Sequence, residues 1–560
     1  MSRLRASVGL DAVPEAVAGT DSEDACVSSA SGTIQVLRIE QRGSIASERG
    51  ITVAIDGAVF GLEPKDSARI VLERFLEHGR EALPSLDGEF AMVIWDEPAK
   101  ELHLARDTFG TRPLYFWASE NRAAAASRIR DLIDIARISP RLRSESLLSW
   151  FPPSQGSFCT TEIHLSDIHR VGPNHVEVVG LPGPRRTRRR LWLYPAQVSG
   201  KRTAEDVREE LPMLLGAAMA RRQTPDALLS LSGGLDSPIL AALGTDGSRR
   251  SGRQNGLHAV TVVDSAAGHP DGPRARVVAE HFGLPWTSLD AAGIDPVEAF
   301  RSLARKCEFP SDLPGIAFES VCVLARAGGH SRVVTGEGAD SFWDFDGRRR
   351  AWRRLAGRIK TAGRLSARRG EHCLKRVAGF SLPDRGRPAA SAARPANCGD
   401  ECEGQRKLFE GTAWHGRLGA FEKAYGGALF ENQVSVADEY GVSFTHPYLD
   451  REVAGYALTT PLRVLESGGD RKGLFRSVFP SLLPRGLSET WSVTPWGGRH
   501  AASLLRVAES MGIEVPSFDP WSVVLSPEEG KVVDELERLC SGLIWLSSWK
   551  AFEEVRNATG

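Results

Sequence analysis

Apolar positions recur along this chain with two different periods. Up to residue 179 they come in short runs. TIQVLRI at 33–39, ITVAIDG at 51–57, GEFAMVIWD at 88–96, ELHLARD at 101–107, RPLYFW at 112–117 and HRVGPNHVEVV at 169–179 run apolar or alternate, each bounded by Gly, Pro or Asp. Short runs punctuated this way read as strands. One helix is predicted among them, with Asp66 as cap of SARIVLERFLEH and Gly79 as its stop. The segment GLPGPRRTRRRLW at 180–192 has the Pro, Gly and Arg content of an exposed crossing. Residues 1–195 therefore read as one sheet-rich domain.

A longer period takes over near Thr203. AEDVREELPMLLGAAMARR has one apolar face, with Pro212 placed to bend it. ALLSLS then reads as a strand, and a helix opens at Pro238, where a missing N–H costs nothing. LHAVTVV at 257–263 is a strand, PRARVVAEHFG at 273–283 a helix, IAFESVCVLARAGG at 316–329 a helix, and SRVVTGE a strand running into a loop. Strands alternating with helices predict a mostly parallel sheet covered on both faces. Helical signals follow in GALFENQVSVADEYG, YLDREVAGYAL, RKGLFRSVF and HAASLLRVAES. The second domain is taken as 196–560.

Composition narrows the setting. A chain of 560 residues, 41% hydrophobic, is too long for one core. Its formal charge of -1 gives no global pull toward nucleic acid or anionic lipid. No apolar run approaches the ~20 residues that span a bilayer. The first residues lack an uninterrupted apolar stretch of signal-peptide type. The eight cysteines are scattered, unlike a secreted disulfide scaffold. These features predict a soluble cytoplasmic protein. A zinc site at Cys398 and Cys402 with His372 and Cys373 is disfavoured by irregular spacing. Residues 348–405 form a basic insertion, with 15 Lys or Arg against two acids between 348 and 394. It reads either as a solvated arm or as a basic rim for phosphates or an acidic segment. Trp491, Trp496, Trp521, Trp545 and Trp549 read as core, with a substrate pocket wall as the other option.

Two loops carry the chemistry. LLSLSGGLDS at 228–237 and VVTGEGAD at 333–340 are apolar runs that stop at glycines, an acid and, in the first, hydroxyls. A strand ending in Ser-Gly-Gly before a helix presents backbone N–H groups, and glycines let phosphate oxygens come close. Ser232 and Ser237 are hydrogen-bond donors to phosphate in this reading. Asp236 cannot neutralise a phosphate, so its useful role is to hold Mg²⁺. The Walker spacing with its lysine is absent, and so short a loop suits a pyrophosphate group and cleavage between the α and β phosphates. If the two strands are neighbours, Asp236 and Asp340 share one divalent ion at the carboxyl edge of one sheet.

SGGLDS at 232–237 resembles the pyrophosphate loop of the asparagine synthetase superfamily, and GEGAD at 336–340 resembles that family's second ATP-site loop. HPYLDREVAGYAL at 446–458 is similar to its Pro-aromatic-Leu-Asp helix. LDGEFAMVIWD and RDTFGTRPLYF resemble its glutamine amidotransferase domain. The resemblance implies a glutaminase-like (Ntn-type) β-rich sandwich followed by an ATP-pyrophosphatase-type parallel α/β synthetase domain. It implies ATP and Mg²⁺ as cofactors, with Leu231, Ser232, Gly233, Gly234, Leu235, Asp236, Ser237, Val262 and Gly336 at the nucleotide and Asp236 and Asp340 at the metal. In that family a carboxylate attacks the α-phosphorus of ATP, pyrophosphate leaves, and an amine displaces AMP.

The departures from the family set the finer expectation. Position 2 is serine where the family has its nucleophilic cysteine. Asp56-Gly57 stands where the family's Asn-Gly supports the oxyanion, and a carboxylate there repels developing negative charge. Glutamine hydrolysis therefore reads as lost, and the amine as coming from the substrate. Two members of the superfamily share that loss, β-lactam synthetase and the lasso peptide cyclase. The family's late lysine would fall near 488–490, where this chain has none, which favours the second. The expectation is a lasso peptide cyclase that joins an Asp or Glu side chain of a precursor core peptide to its N-terminal amine. A leader-binding protein and a leader peptidase are its implied partners, with neither membrane nor nucleic acid involved. A small-molecule enzyme like β-lactam synthetase, or a degenerate asparagine synthetase, is the alternative. Glu337 is the candidate base. Lys472, matching an earlier family lysine, and Arg476, one turn on, are candidate cations for developing charge, with a solvated helix residue as the other reading of Lys472. Asp271 reads either as a helix cap or as a nucleotide neighbour.

Overall fold

The computed structural model describes residues 3–9, 25–29, 32–37, 43–141, 143, 163–192, 201–250, 256–263, 265, 271–309, 313–343, 429–467, 472–479, 483, 484 and 544. They divide into two units. The first comprises Met1–Ser149, Gln155–Ala196 and Ser381–Gly441, and the second Trp150–Ser154, Gln197–Phe380 and Val442–Gly560.

The first unit holds two six-stranded sheets. Its strands are β1 (Arg3–Gly9), β2 (Ala25–Ser29), β3 (Gly32–Leu37), β4 (Gly43–Glu48), β5 (Ile51–Val59) and β6 (Gly88–Asp96). There follow β7 (Glu101–Arg106), β8 (Tyr115–Ala118), β9 (Arg122–Ala126), β10 (His169–Arg170), β11 (His175–Gly180) and β12 (Arg185–Arg190). One sheet runs β10-β8-β9-β1-β3-β2 and the other β12-β11-β7-β6-β5-β4. The period of two in β6 sorts its side chains. Ala91, Val93 and Trp95 join Leu4, Ala6, Val8 and Phe116 in a core shared by both sheets. Phe90, Met92 and Ile94 face the other way and pack with Val71, Leu72 and Phe75 of helix α1 (Ser67–His78). A strand buried on both faces reads as a near-continuous apolar run, as GEFAMVIWD does. Helix α2 (Ile129–Ala136) follows β9.

The second unit is built on one parallel sheet. Its strands are β13 (Ala227–Ser230), β14 (His258–Val263), β15 (Trp286–Asp290), β16 (Arg332–Val334) and β17 (Ser443–Thr445), in the order β15-β14-β13-β16-β17. Its helices include α3 (Ala204–Arg222), α4 (Asp236–Arg250), α5 (Asp271–Phe282), α6 (Pro296–Lys306), α7 (Leu313–Ala327) and the short α8 (Ala339–Trp343). A capping box starts α3, with Thr203 Oγ1 accepting from the Asp206 amide and Asp206 accepting from the Thr203 amide. The strand order grows away from β13 in one direction and resumes on its other side at β16. Ligand sites of open α/β sheets form at such a reversal, beyond the carboxyl ends of the strands.

Helix α9 (Leu429–Glu439) belongs to the first unit although it lies late in the chain. The expected division into 1–195 and 196–560 is corrected on this segment. Its anchor is electrostatic. Arg106 and Arg170 each approach Glu431 Oε1 at 3.2 Å, and all three side chains are almost fully buried. Arg128 donates to Glu439 at 2.7 Å. Long-range pairs of this kind leave no periodicity in the sequence.

Other expectations change in detail. Residues 180–192 are not a crossing: β12 pairs antiparallel with β11, and Arg188 bonds Glu177 across the pair. The segment 169–179 divides into β10 and β11, separated by the turn at Pro173 and Asn174. α4 starts at Asp236, two residues before Pro238. Asp66 sits at the start of α1 without a side-chain cap, whereas Gly79 ends that helix at φ 58°. Pro212 lies inside a continuous α3. The basic insertion 348–405, HAASLLRVAES, residues 488–490, the five C-terminal tryptophans, Cys398 and Cys402, and His372 and Cys373 lie outside the described residues. No described helix is long and apolar enough to cross a membrane.

Candidate active site

β13 and β16 are parallel neighbours, with Leu229 opposite Val334. Their carboxyl ends therefore deliver SGGLDS and GEGAD to the same edge of the sheet. The loops touch: a Cβ on Gly336 would sit 3.2 Å from Asp236 Cβ. At Gly338 φ is 95°, and a side chain would meet Leu449 Cδ2 at 2.5 Å. Glycine is needed there on both counts.

The first loop is held by its own hydroxyls. Ser237, at 3% exposure, accepts from the Ser232 amide at 2.8 Å and lies 2.9 Å from Ser232 Oγ. Ser232 Oγ also accepts from the Gly234 amide. Ser237 thus shapes the loop from within by accepting from the Ser232 amide. Leu231 is fixed behind it, its amide on Val260 and its carbonyl accepting from Thr261. Leu235 is buried, and Val262 lies half-buried on β14. Asp271 is the first residue of α5 and borders the loop, since a Cβ on Gly233 would come within 2.7 Å of its Cα.

Lys472 completes the site. Its ammonium donates to Asp236 Oδ2 at 2.6 Å and lies 2.6 Å from Asp340 Oδ1. It is 2% exposed, which removes the reading as a solvated helix residue. Burial alone would pull its pKa down, but the two carboxylates outweigh that and push it above its ordinary value. Its backbone adopts φ 56°, a left-handed conformation uncommon for lysine, at the start of α12 (Gly473–Val478). Between α9 and α12 lie α10 (Arg451–Thr459) and α11 (Leu462–Leu465). Arg476 is one turn along α12, its amide on the Lys472 carbonyl. Glu337 is half-buried between the two glycines, its amide donating to Thr335 Oγ1 at 3.3 Å.

The HPYLD segment binds these parts together. His446 Nδ1 meets Thr335 Oγ1 at 2.8 Å, and Tyr448 donates to the Asp236 carbonyl at 2.9 Å. Asp450 caps α10 and takes Arg222 at 2.7 Å and Arg221 at 2.8 Å. Burial would raise the Asp450 pKa, but the two guanidiniums hold it below the usual range. The Arg pair, Thr335 and the Tyr448 hydroxyl escaped sequence reasoning, because they meet only in the fold.

The donor set fits Mg²⁺. Among the described residues no group of three or more His, Cys, Asp or Glu is placed to hold a metal alone. Two carboxylates that both reach the Lys472 ammonium at 2.6 Å lie close enough together to share an ion that takes its other ligands from phosphate and water.

Comparison with known proteins agrees with this geometry. The asparagine synthase family profile matches residues 210–490, half of the chain. The glutamine amidotransferase domain profile matches residues 63–187. The chain belongs to the asparagine synthase family and joins a glutaminase-type domain to an ATP-pyrophosphatase-type synthetase domain. It is similar to the amidase chry2 of Gibberella zeae, with 27% identity over 50% of this chain and 43% of the relative. Asparagine synthetase 3 of Bacillus subtilis is 24% identical over 46% of this chain and 42% of its own. Human asparagine synthetase is 28% identical over 40% and 39%. The matched stretch is less than half the length of each of these relatives.

Proposed function

We propose that the chain is an ATP-dependent, AMP-forming carbon–nitrogen ligase acting on a small carboxylate. The observation that carries this reading is the convergence of Asp236, Asp340 and Lys472 at the point where the sheet order reverses. A substrate carboxylate attacks the α-phosphorus of ATP, and pyrophosphate leaves. An amine then displaces AMP from the acyl adenylate and gives an amide. Lys472 offsets negative charge that develops on the departing pyrophosphate. Asp236 and Asp340 would hold Mg²⁺, which when bound neutralises phosphate charge. Glu337 is the base proposed for the amine proton.

The relatives bear the names of asparagine synthetases and amidases, which supports a small carboxylate over a peptide side chain. We favour the alternative over the lasso cyclase expectation; a precursor core peptide, a leader-binding protein and a leader peptidase belong to that other reading. The fold of the first unit supports glutamine as a nitrogen source. Asp56 supports uptake of an amine directly. Its carboxylate is fully buried beside Gly57, accepts from Ser127 at 2.9 Å and faces Arg112 at 3.8 Å. A fixed carboxylate at the family's oxyanion position opposes glutamine hydrolysis.

The test is pyrophosphate and AMP release with Mg²⁺ and ATP across small amino-acid carboxylates, with glutamine, ammonium or the substrate's own amine as nitrogen source. Equal turnover with ammonium and none with glutamine supports direct amine uptake. Turnover confined to a peptide that loses one water would restore the macrolactam reading. No pyrophosphate from wild-type protein with any of these would sink the ligase assignment.

A further inference from the structure

Tyr448 is fully buried, and three parts of the site meet on it. Its hydroxyl donates to the Asp236 carbonyl at 2.9 Å. Its Cβ would lie 3.4 Å from a Cβ on Gly338, at the turn that leads into Asp340. Its ring lies 5.9 Å from that of Phe475, three residues beyond Lys472 on α12. Asp236, Asp340 and Lys472 come from three separate segments, and Tyr448 is the side chain touching the backbone or neighbours of all three. The hydroxyl is the only polar atom of that side chain, and its bond goes to the residue whose carboxylate points at Lys472.

We infer that Tyr448 is a positioning residue for the acid-lined cation site, holding the Asp236 backbone so that its carboxylate and that of Asp340 face one cation. In the structure that cation is the Lys472 ammonium, and the inference rests on the ligase reading for a second one, the metal of a metal–ATP complex, that the same two carboxylates would hold. A phenylalanine at this position would keep the ring and its packing and lose only the bond to the carbonyl. The Asp236 backbone then gains freedom at the first residue of α4, and the carboxylate samples orientations that no longer converge with Asp340. The cost falls on metal affinity rather than on the fold.

The experiment compares wild type with Tyr448→Phe and Tyr456→Phe. Tyr456 lies in the same aromatic cluster, stacked on Trp343 at 6.5 Å. Mn²⁺ binding in the presence of ATP is followed by electron paramagnetic resonance, alongside melting temperature and pyrophosphate release. We expect Tyr448→Phe to weaken Mn²⁺ binding roughly fivefold, the usual worth of one hydrogen bond. Its melting temperature stays near wild type, and Tyr456→Phe binds Mn²⁺ as wild type does. Unchanged Mn²⁺ affinity in Tyr448→Phe overturns the inference, whatever happens to melting temperature. An equal loss of affinity in both variants also overturns it, since the effect would then belong to the cluster at large. Wild-type binding of Mn²⁺ without pyrophosphate release, with Tyr448→Phe still weaker, sinks the ligase reading and leaves the inference standing. No Mn²⁺ binding by wild type with ATP overturns both.

Discussion

The Lys472 ammonium lies 2.6 Å from Asp236 Oδ2 although 236 residues separate the two in sequence. The same ammonium lies 2.6 Å from Asp340 Oδ1, so one buried cation joins two loops that come from neighbouring strands. Lys472→Met removes that cation and leaves two carboxylates facing each other. Pyrophosphate release is expected to fall by about 10²–10³-fold, the range for loss of one preorganised charge-stabilising group. A stopped assay at saturating ATP reads this directly, and a variant within threefold of wild type would remove Lys472 from the chemistry. The pair also marks stability. Because the folded pKa of Lys472 is raised above 10.5, its contribution is complete below pH 10.5 and is lost as pH rises through the folded value. Wild-type melting should therefore approach that of Lys472→Met only at strongly alkaline pH.

Gly338 and Gly329 separate strain from contact. Both have positive φ, 95° and 72°, but only at Gly338 does a Cβ meet neighbours, Leu449 Cδ2 at 2.5 Å and Cγ at 2.7 Å. Gly329→Ala should cost about 1–2 kcal/mol, the left-handed penalty alone. Gly338→Ala should cost more, and it should also lower pyrophosphate release, because Leu449 is the neighbour of Tyr448. Denaturant melts and the same assay on both variants check this. Equal stability loss in the two would show that Leu449 yields freely.

These sites differ in how far the sequence reveals them. SGGLDS and GEGAD show themselves as apolar runs broken by glycine and acid, and strand alternation correctly expects β13 and β16. Whether the loops meet depends on β16 adding beside β13, which no local pattern encodes. Lys472 shows the same limit from the other side: RKGLFRSVF reads equally as a surface helix until burial among two acids is known. The residues RRTRRR of β12 mislead because a strand rich in arginine has no apolar signal. Its guanidiniums find partners instead, Arg188 on Glu177, Arg189 on Glu81 and Arg186 over the Phe116 ring at 4.7 Å. α9 is legible as a helix, but its place in the first unit comes from Glu431 and Glu439, whose arginine partners lie far earlier in the chain.

Glu431 binds two guanidiniums in a place water does not reach, with Arg106, Arg170 and Glu431 each within 2% exposure. Arg106 also donates to the carbonyls of Arg112, Val171 and Gly110, so its geometry is fixed independently of α9. Glu431→Ala leaves two positive charges buried on the same empty position. Removing one partner of such a group costs about 3–5 kcal/mol, so the first unit should melt at much lower temperature. Glu431→Gln keeps an acceptor and should lose less. Calorimetry on the full chain checks the order, and equal melting of Ala and Gln variants would show that the charge itself contributes little.

Asp438 gives a pH dependence of opposite sign to that of an ordinary paired acid. Burial raises its pKa first, and Asp56 nearby raises it further. Arg3, Arg112 and Arg128 pull it down without cancelling the rise, and it lies at about 6 against an ordinary 3.8. A folded value above the unfolded one means that the folded state holds the proton more tightly between them. The stability this confers is complete below about pH 3.8 and is lost as pH rises through about 6. Asp438→Asn stays neutral at every pH and escapes that loss. Its melting temperature should exceed wild type at pH 8 by a few degrees, about 2–4 °C for each kcal/mol in a domain of this size. The gap should close toward pH 4. Melting curves of both proteins from pH 4 to pH 8 decide it. A variant less stable than wild type at pH 8 would mean that attraction to Arg3, 3.7 Å from Asp438, outweighs burial and the repulsion from Asp56.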